Sequence, residues 1–152
     1  MSKKEIILVL HNIRSRFNVG AIFRTADAAG VSKLYLCGIT PAPPHPKINK
    51  VSLGAEKWVP FEKIKQTKPL LKTLSEAGYQ VIALELNKKS KNYHKYKPNW
   101  PVALVVGNEV NGLLPSILKK CDKVIKIPMH GRKESLNVGI AAGIVIFDII
   151  NK

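Results

Sequence analysis

The chain has 152 residues, 45% of them hydrophobic and 23% charged, a size and balance that suit one globular domain and exclude a disordered or membrane-embedded chain. Lys and Arg number 25 against 10 Asp and Glu, a formal excess of +15, so the natural partner is a polyanion. Cys37 and Cys121 lie far apart and form no C-x-x-C pair, which argues against a disulfide framework or a zinc site and fits a reducing cytoplasm.

Ile6-Ile7-Leu8-Val9-Leu10 is an unbroken aliphatic run and predicts a first strand covered on both faces of a parallel sheet. It is too short for a signal-peptide core, and Val138 to Ile150, which contains Asp148, is too short for a membrane span. After the polar stretch His11 to Phe17, apolar residues at Val19, Ile22, Phe23, Ala26 and Ala29 have helical spacing, and Gly30 supplies a stop. Strand-like runs follow at Leu34 to Cys37, Val81 to Leu84, Val102 to Val106 and Val124 to Ile127, with candidate helices near Lys68 to Ala77 and Pro115 to Lys120. The alternation predicts an α/β domain with a mostly parallel sheet and helices on both faces. Two segments interrupt it, the proline-rich Pro41 to Pro46 and the basic Asn87 to Pro98, and both read as exposed loops. The last segment, Asn137 to Ile150, is apolar nearly all the way round as a helix, so burial on every side, partly against a second copy of the chain, is expected.

Three segments carry candidate chemistry. Asn12 to Ala26 crowds Arg14, Arg16 and Arg24 with Asn12 and Asn18 at a strand-to-helix junction, where backbone donors and guanidinium forks favour phosphate. A helix capped by Asn18 with solvated arginines accounts for the same spacing. Val105 to Leu114 runs from a strand into a loop with Gly107 and Gly112 but lacks the Lys-Ser/Thr of a P-loop, and no G-x-G-x-x-G occurs anywhere. Such a loop either makes a tight turn or lets backbone approach a flat group such as adenine. Ile127 to Gly139 leads through a polar loop, in which Ser135 or Asn137 can cap the last helix, and combines backbone donors with an Ile127-Pro128-Met129 wall suited to a small amphipathic cofactor. The four histidines have no ligand spacing, so no metal is expected, and only His130 falls near these segments.

Asn18-x-Gly20-Ala21-x-x-Arg24-Thr25-Ala26, Gly107-x-Glu109-x-x-Gly112, and Ile127-Pro128-Met129-x-Gly131 with Ser135-Leu136-Asn137-Val138 resemble, in order and spacing, the three motifs of the SpoU-TrmH family of RNA ribose methyltransferases. The resemblance implies a SPOUT-type domain with a C-terminal trefoil knot and a homodimer with the knot regions near the interface. The implied reaction is methyl transfer from S-adenosylmethionine to a ribose 2'-hydroxyl of tRNA or rRNA. It would place Leu84, Gly107, Asn108, Ile127, Met129, Leu136 and Asn137 around the cofactor. Arg24 would stand at the hydroxyl, with Asn18, Glu109, Ser135 and Asn137 shaping the site. The chain departs from better-known members in Ser15-Arg16-Phe17, where a proline-containing stretch is common, and in Gly139, where Ser is frequent.

Residues 1–152 read as one SpoU-type methyltransferase domain with no extra RNA-binding extension, so the RNA grip is expected on the domain's own surface. Arg14, Arg16, Lys91, Lys95, Arg132 and Lys133, with Lys88, Lys89 and Lys97, are the expected phosphate contacts, and Tyr93 or Tyr96 the stacking platforms. Two rival readings are a non-catalytic RNA-binding protein on the same fold and an α/β enzyme acting on a small acidic metabolite. The first leaves the third motif without a purpose, and the second leaves the overall charge unexplained.

Overall fold

The computed structural model describes residues 4–152. Its elements are β1 (Ile6–His11), α1 (Arg16–Ala29), β2 (Lys33–Cys37), α2 (Pro46–Ser52), β3 (Phe61–Ile64), α3 (Thr67–Glu76), β4 (Gln80–Leu84), β5 (Lys91–Asn92), β6 (Val102–Val106), α4 (Pro115–Leu118), β7 (Lys123–Lys126) and α5 (Val138–Ile150). The strands form one seven-stranded sheet in the order β3-β2-β1-β6-β4-β7-β5, parallel throughout. This is the α/β architecture expected from the alternation of apolar runs and helical segments.

The alternation of side chains along β1 explains the layers. Ile6, Leu8 and Leu10 join a core cluster with Val19, Ile22 and Phe23 of α1 and Val145, Ile146 and Ile149 of α5. Ile7 and Val9 join another with Leu70, Leu71 and Leu74 of α3 and Ile117 of α4. Successive strand residues point to opposite faces, so a strand sandwiched between two helical layers must be apolar at every position.

Helix α1 begins earlier than its apolar spacing indicates. Ser15, not Asn18, is the N-cap and accepts from the Asn18 N–H at 3.1 Å, because a hydroxyl one turn upstream reaches the free amides first. Gly30 ends the helix at φ 74°. The short α2 starts with Pro46 at its first position, capped by the His45 ring, and it and β3 fall in a stretch whose apolar residues are too sparse for a periodic signal. At Gly20, where α1 crosses α2, an added Cβ would lie 2.6 Å from the Ile48 carbonyl oxygen, so only glycine allows that approach.

The 87–98 segment is more ordered than an exposed loop. It contains β5, paired with β7, a single turn over Tyr93–Lys95, and the buried Ser90 and Tyr96. Tyr96 is 5% exposed and its hydroxyl donates to Gln80 at 2.5 Å, which removes it as a base-stacking platform. Tyr93 is half-buried against the core. Helix α5 is apolar on nearly every face, but a single chain covers only part of it. Within one chain it buries only the face carrying Gly139, Ala142, Val145, Ile146 and Ile149, while Ile140, Ile144 and Phe147 are 58%, 38% and 41% exposed. Among the described residues no helix is long and apolar enough to cross a membrane.

The loop after β1 is held by a buried hydroxyl. Thr40 accepts from the Ile13 N–H at 3.0 Å and lies 2.7 Å from the Cys37 carbonyl and 3.1 Å from that of Leu10. Thr40→Val keeps the shape but strands the Ile13 amide, and is expected to lower unfolding free energy by about 1–3 kcal/mol, as read by urea titration.

Candidate functional site

Open α/β sheets bind ligands where loops leave the carboxyl ends of strands whose connections run in opposite directions. Here β1 feeds β2 on one side, while β6 skips over β4 to β7 on the other. The loops after β1 and β6 meet at this point. Glu109 accepts the Arg14 N–H at 2.9 and 3.1 Å, and the Asn108 side-chain amide donates to the Asn12 carbonyl at 2.7 Å. Asn108 also organises its own turn, its oxygen accepting from Val110 and Asn111, each at 2.9 Å.

A hollow of about 740 Å³, open mouth included, lies beside this junction at the ends of β4, β6 and β7. Its wall brings together Leu84, Gly107, Asn108, Ile127, Met129 and Leu136 with Glu109 and Ser135. Asn137 stands at the base of α5, whose first turn it caps by accepting from Gly139 and Ile140. Its amide donates to the Asn18 oxygen at 2.9 Å. That contact ties the first segment to the third, and Asn18, only 5% exposed, is held inside the fold by it.

Glycine is required at the back of the hollow. A Cβ on Gly107 would lie 2.8 Å from the carbonyl carbon of Gly112 and 2.8 Å from a Leu113 methyl. Gly112 has φ 63° and stands against the Glu85 carboxylate, which also accepts the Leu113 N–H at 2.5 Å. Glu85 also lines the hollow although none of the three motifs contains it; a carboxylate directly after a strand, in a chain with only 10 acidic residues, is the signal that points to it. Asn12 was also passed over as a positioner. It sits at φ 54°, a left-handed conformation that asparagine tolerates, and its oxygen accepts the Ile39 N–H at 3.1 Å.

Arg24 does not join the hollow. It is exposed on α1, makes no ion pair among the described residues, and stands six residues, about 9 Å of helix, beyond Asn18. Arg14 and Arg16 line a separate basic hollow with Lys47 and Lys50, and Lys91 and Lys95 line another. Arg132 and Lys133 are exposed on the loop that leads to Ser135. His11, at the end of β1, lies 2.6 Å from the Thr67 hydroxyl, and burial holds its imidazole below the ordinary histidine range. No group of three or more His, Cys, Asp or Glu placed for a metal occurs among the described residues.

The geometry defines an α/β domain with an amphipathic ligand hollow at a sheet switch point, flanked by cations. Residues 5–147 match the model of the SpoU rRNA Methylase family, and the chain belongs to that family. It is 38% identical over 147 residues to the tRNA (guanosine(18)-2'-O)-methyltransferase of Aquifex aeolicus, covering 96% of this chain and 69% of that protein. It is 33% identical to the 23S rRNA (guanosine-2'-O-)-methyltransferase RlmB of Vibrio parahaemolyticus, covering 97% of this chain but 59% of the relative. The AdoMet-bound rRNA methyltransferase of Sinorhizobium meliloti superposes with a TM-score of 0.89 at 32% identity, over 97% of this chain and 56% of that one. The chain thus spans little more than half the length of two of these three relatives.

Proposed function

We propose that this chain transfers a methyl group from S-adenosylmethionine to a ribose 2'-hydroxyl of tRNA or rRNA. The observation that carries the reading is the hollow itself, which gathers residues of the second and third motifs around a wall that fits this cofactor. Leu84, Ile127, Met129 and Leu136 provide an apolar slot for a flat base, and Glu85, Glu109 and Glu134 face the same space, as a cationic sulfonium and ammonium require. Leu84, Gly107, Asn108, Ile127, Met129, Leu136 and Asn137 would hold the cofactor, which supplies an activated methyl group. The resemblance to the family, together with this chain's strand order and the packing of α5 on α1, supports a trefoil knot at the C-terminal end.

The protein's share of the chemistry is alignment and charge. Asn18, Glu109, Ser135 and Asn137 orient the sugar, and a guanidinium at the reacting oxygen stabilises the negative charge that develops as the proton leaves. Arginine stays protonated, so Arg24 acts as that electrostatic partner and an RNA phosphate or water takes the proton. Arg24 and the apolar residues Ile140, Ile144 and Phe147 all stand on the outward side of the α1–α5 layer, which supports a homodimer in which Arg24 serves the partner's hollow. Ile144→Asp is expected to give a monomer by size-exclusion with light scattering and to abolish methyl transfer. A dimeric Ile144→Asp would count against this interface.

RNA phosphates next to the target nucleotide fall to Arg14, Arg16, Arg132 and Lys133. Cys37, whose thiol burial pushes up to about 11, and Cys121 are free, which suits a reducing cytoplasm. Titration calorimetry with S-adenosylmethionine separates this reading from a non-catalytic RNA binder, which need show no binding. Tritium-methyl transfer to unmodified tRNA and rRNA, followed by nucleoside mass spectrometry, should yield a 2'-O-methylated nucleoside. Transfer to a small acidic metabolite with none to RNA would overturn it.

A further inference from the structure

The sheet edge beyond the methyl-transfer hollow carries a second, differently built surface. Lys89, Lys91, Lys95 and Lys97 share the wall of a hollow of about 1120 Å³, mouth included, with Lys123 of β7. Lys88, Lys119 and Lys120 are exposed on the same two stretches of chain. None of the five lining lysines forms an ion pair among the described residues. The one carboxylate in the wall, Asp122, accepts the Val81 N–H at 2.8 Å. Five ammonium groups gathered against a single carboxylate repel one another, and a polyanion removes that repulsion.

We infer that this β5–β7 edge docks the phosphate backbone of an RNA helix, away from the nucleotide being methylated; the inference rests on the RNA reading above and names where and how the RNA is held. Three observations select this partner. The cations are all lysines, compact point charges without the planar fork that reads a base edge or clamps one phosphate. Stacking is missing, because Tyr96, the aromatic residue in the wall, is buried and hydrogen-bonded to Gln80; single strands are gripped through exposed aromatic faces, whereas helical RNA is held by shape and backbone. The third is position. Lys123 opens β7 and Lys126, which lines the methyl-transfer hollow, closes it, so the two hollows adjoin along this strand while about 10 Å of it separates their lysines. Contacts here add affinity for the whole RNA and leave the reacting sugar to the other site.

The test is a five-fold variant, K89Q/K91Q/K95Q/K97Q/K123Q, which keeps the side-chain stems. Its fold is checked by thermal melting and by affinity for S-adenosylmethionine, both expected to match the parent. Binding of a 16-base-pair RNA duplex of arbitrary sequence and of a 20-nucleotide polyuridine strand is titrated between 50 and 300 mM KCl, each a probe condition set at roughly the range where phosphate contacts dominate. The expected result is a parent that prefers the duplex, and a variant whose duplex affinity near 0.1 M salt falls by about 100-fold, with a log–log salt slope shallower by about two units or more. An unchanged slope overturns the inference, as does equal or tighter binding of polyuridine by the parent. So does loss of binding to phosphatidylserine vesicles with duplex affinity intact, which would assign the lysines to a membrane surface. A parent that binds the duplex but not S-adenosylmethionine would sink the proposed reaction while leaving this docking surface standing.

Discussion

Arg24→Lys is expected to lower single-turnover methyl transfer to RNA by roughly 10²–10³-fold, about 2.7–4 kcal/mol of lost charge stabilisation, while calorimetry shows unchanged affinity for S-adenosylmethionine. The reason lies in where Arg24 stands. It is exposed and outside the hollow's wall, so it contributes nothing to the cofactor's surroundings in its own chain. In the proposed reaction its role is confined to the developing oxygen charge, where a lysine keeps the positive sign but loses the planar fork that positions it. Near-parental turnover in Arg24→Lys would remove Arg24 from the reaction. The loss should also persist at saturating RNA, since an interaction made only in the transition state lowers turnover and not substrate binding.

Gly107→Ala should weaken S-adenosylmethionine binding by roughly 10- to 100-fold, or about 1.4–2.8 kcal/mol. The added methyl has no room: Gly112 backbone and Leu113 lie 2.8 Å from its position. The 108–112 turn must move outward to admit it, and Asn108 and Glu109 move with it. Both residues reach across to the loop after β1, so the wall of the hollow and the first segment lose register together. Forcing one methyl into packed surroundings costs about 1–3 kcal/mol, so a modest fall in melting temperature is expected alongside. Unchanged cofactor affinity by calorimetry would show that the turn is not part of the binding wall.

Much of this domain could be read directly along the chain, and particular residues show why. The unbroken run from Ile6 to Leu10 implied a strand covered on both faces, and its side chains do divide between two helical layers. Val19, Ile22, Phe23 and Ala26, closed by Gly30, marked α1 with its stop. These features are local, because periods of two and 3.6 are imposed by backbone geometry alone. Gly107, Ile127 and Leu136 were picked out as one set because their motifs recur in order, and the hollow gathers them.

What periodicity could not supply depends on partners distant in sequence. The order that inserts β6 between β1 and β4 brings Glu109 to the Arg14 amide and Asn137 to Asn18. No pattern within a window of 15 residues encodes such a meeting. The same holds for Tyr96, which lies in a lysine-rich stretch yet is buried because β5 and the turn after it pack onto β7 and the core. Composition likewise indicated an all-round apolar α5, but only packing against α1 and the sheet selects which face is buried and leaves Ile140, Ile144 and Phe147 outside. Sequence by itself therefore determined the element types, the apolar faces and the identity of the chemical groups, since these follow from local geometry and side-chain chemistry. Tertiary structure decided which groups meet, because burial and hydrogen bonding are satisfied between segments that only the sheet order brings together.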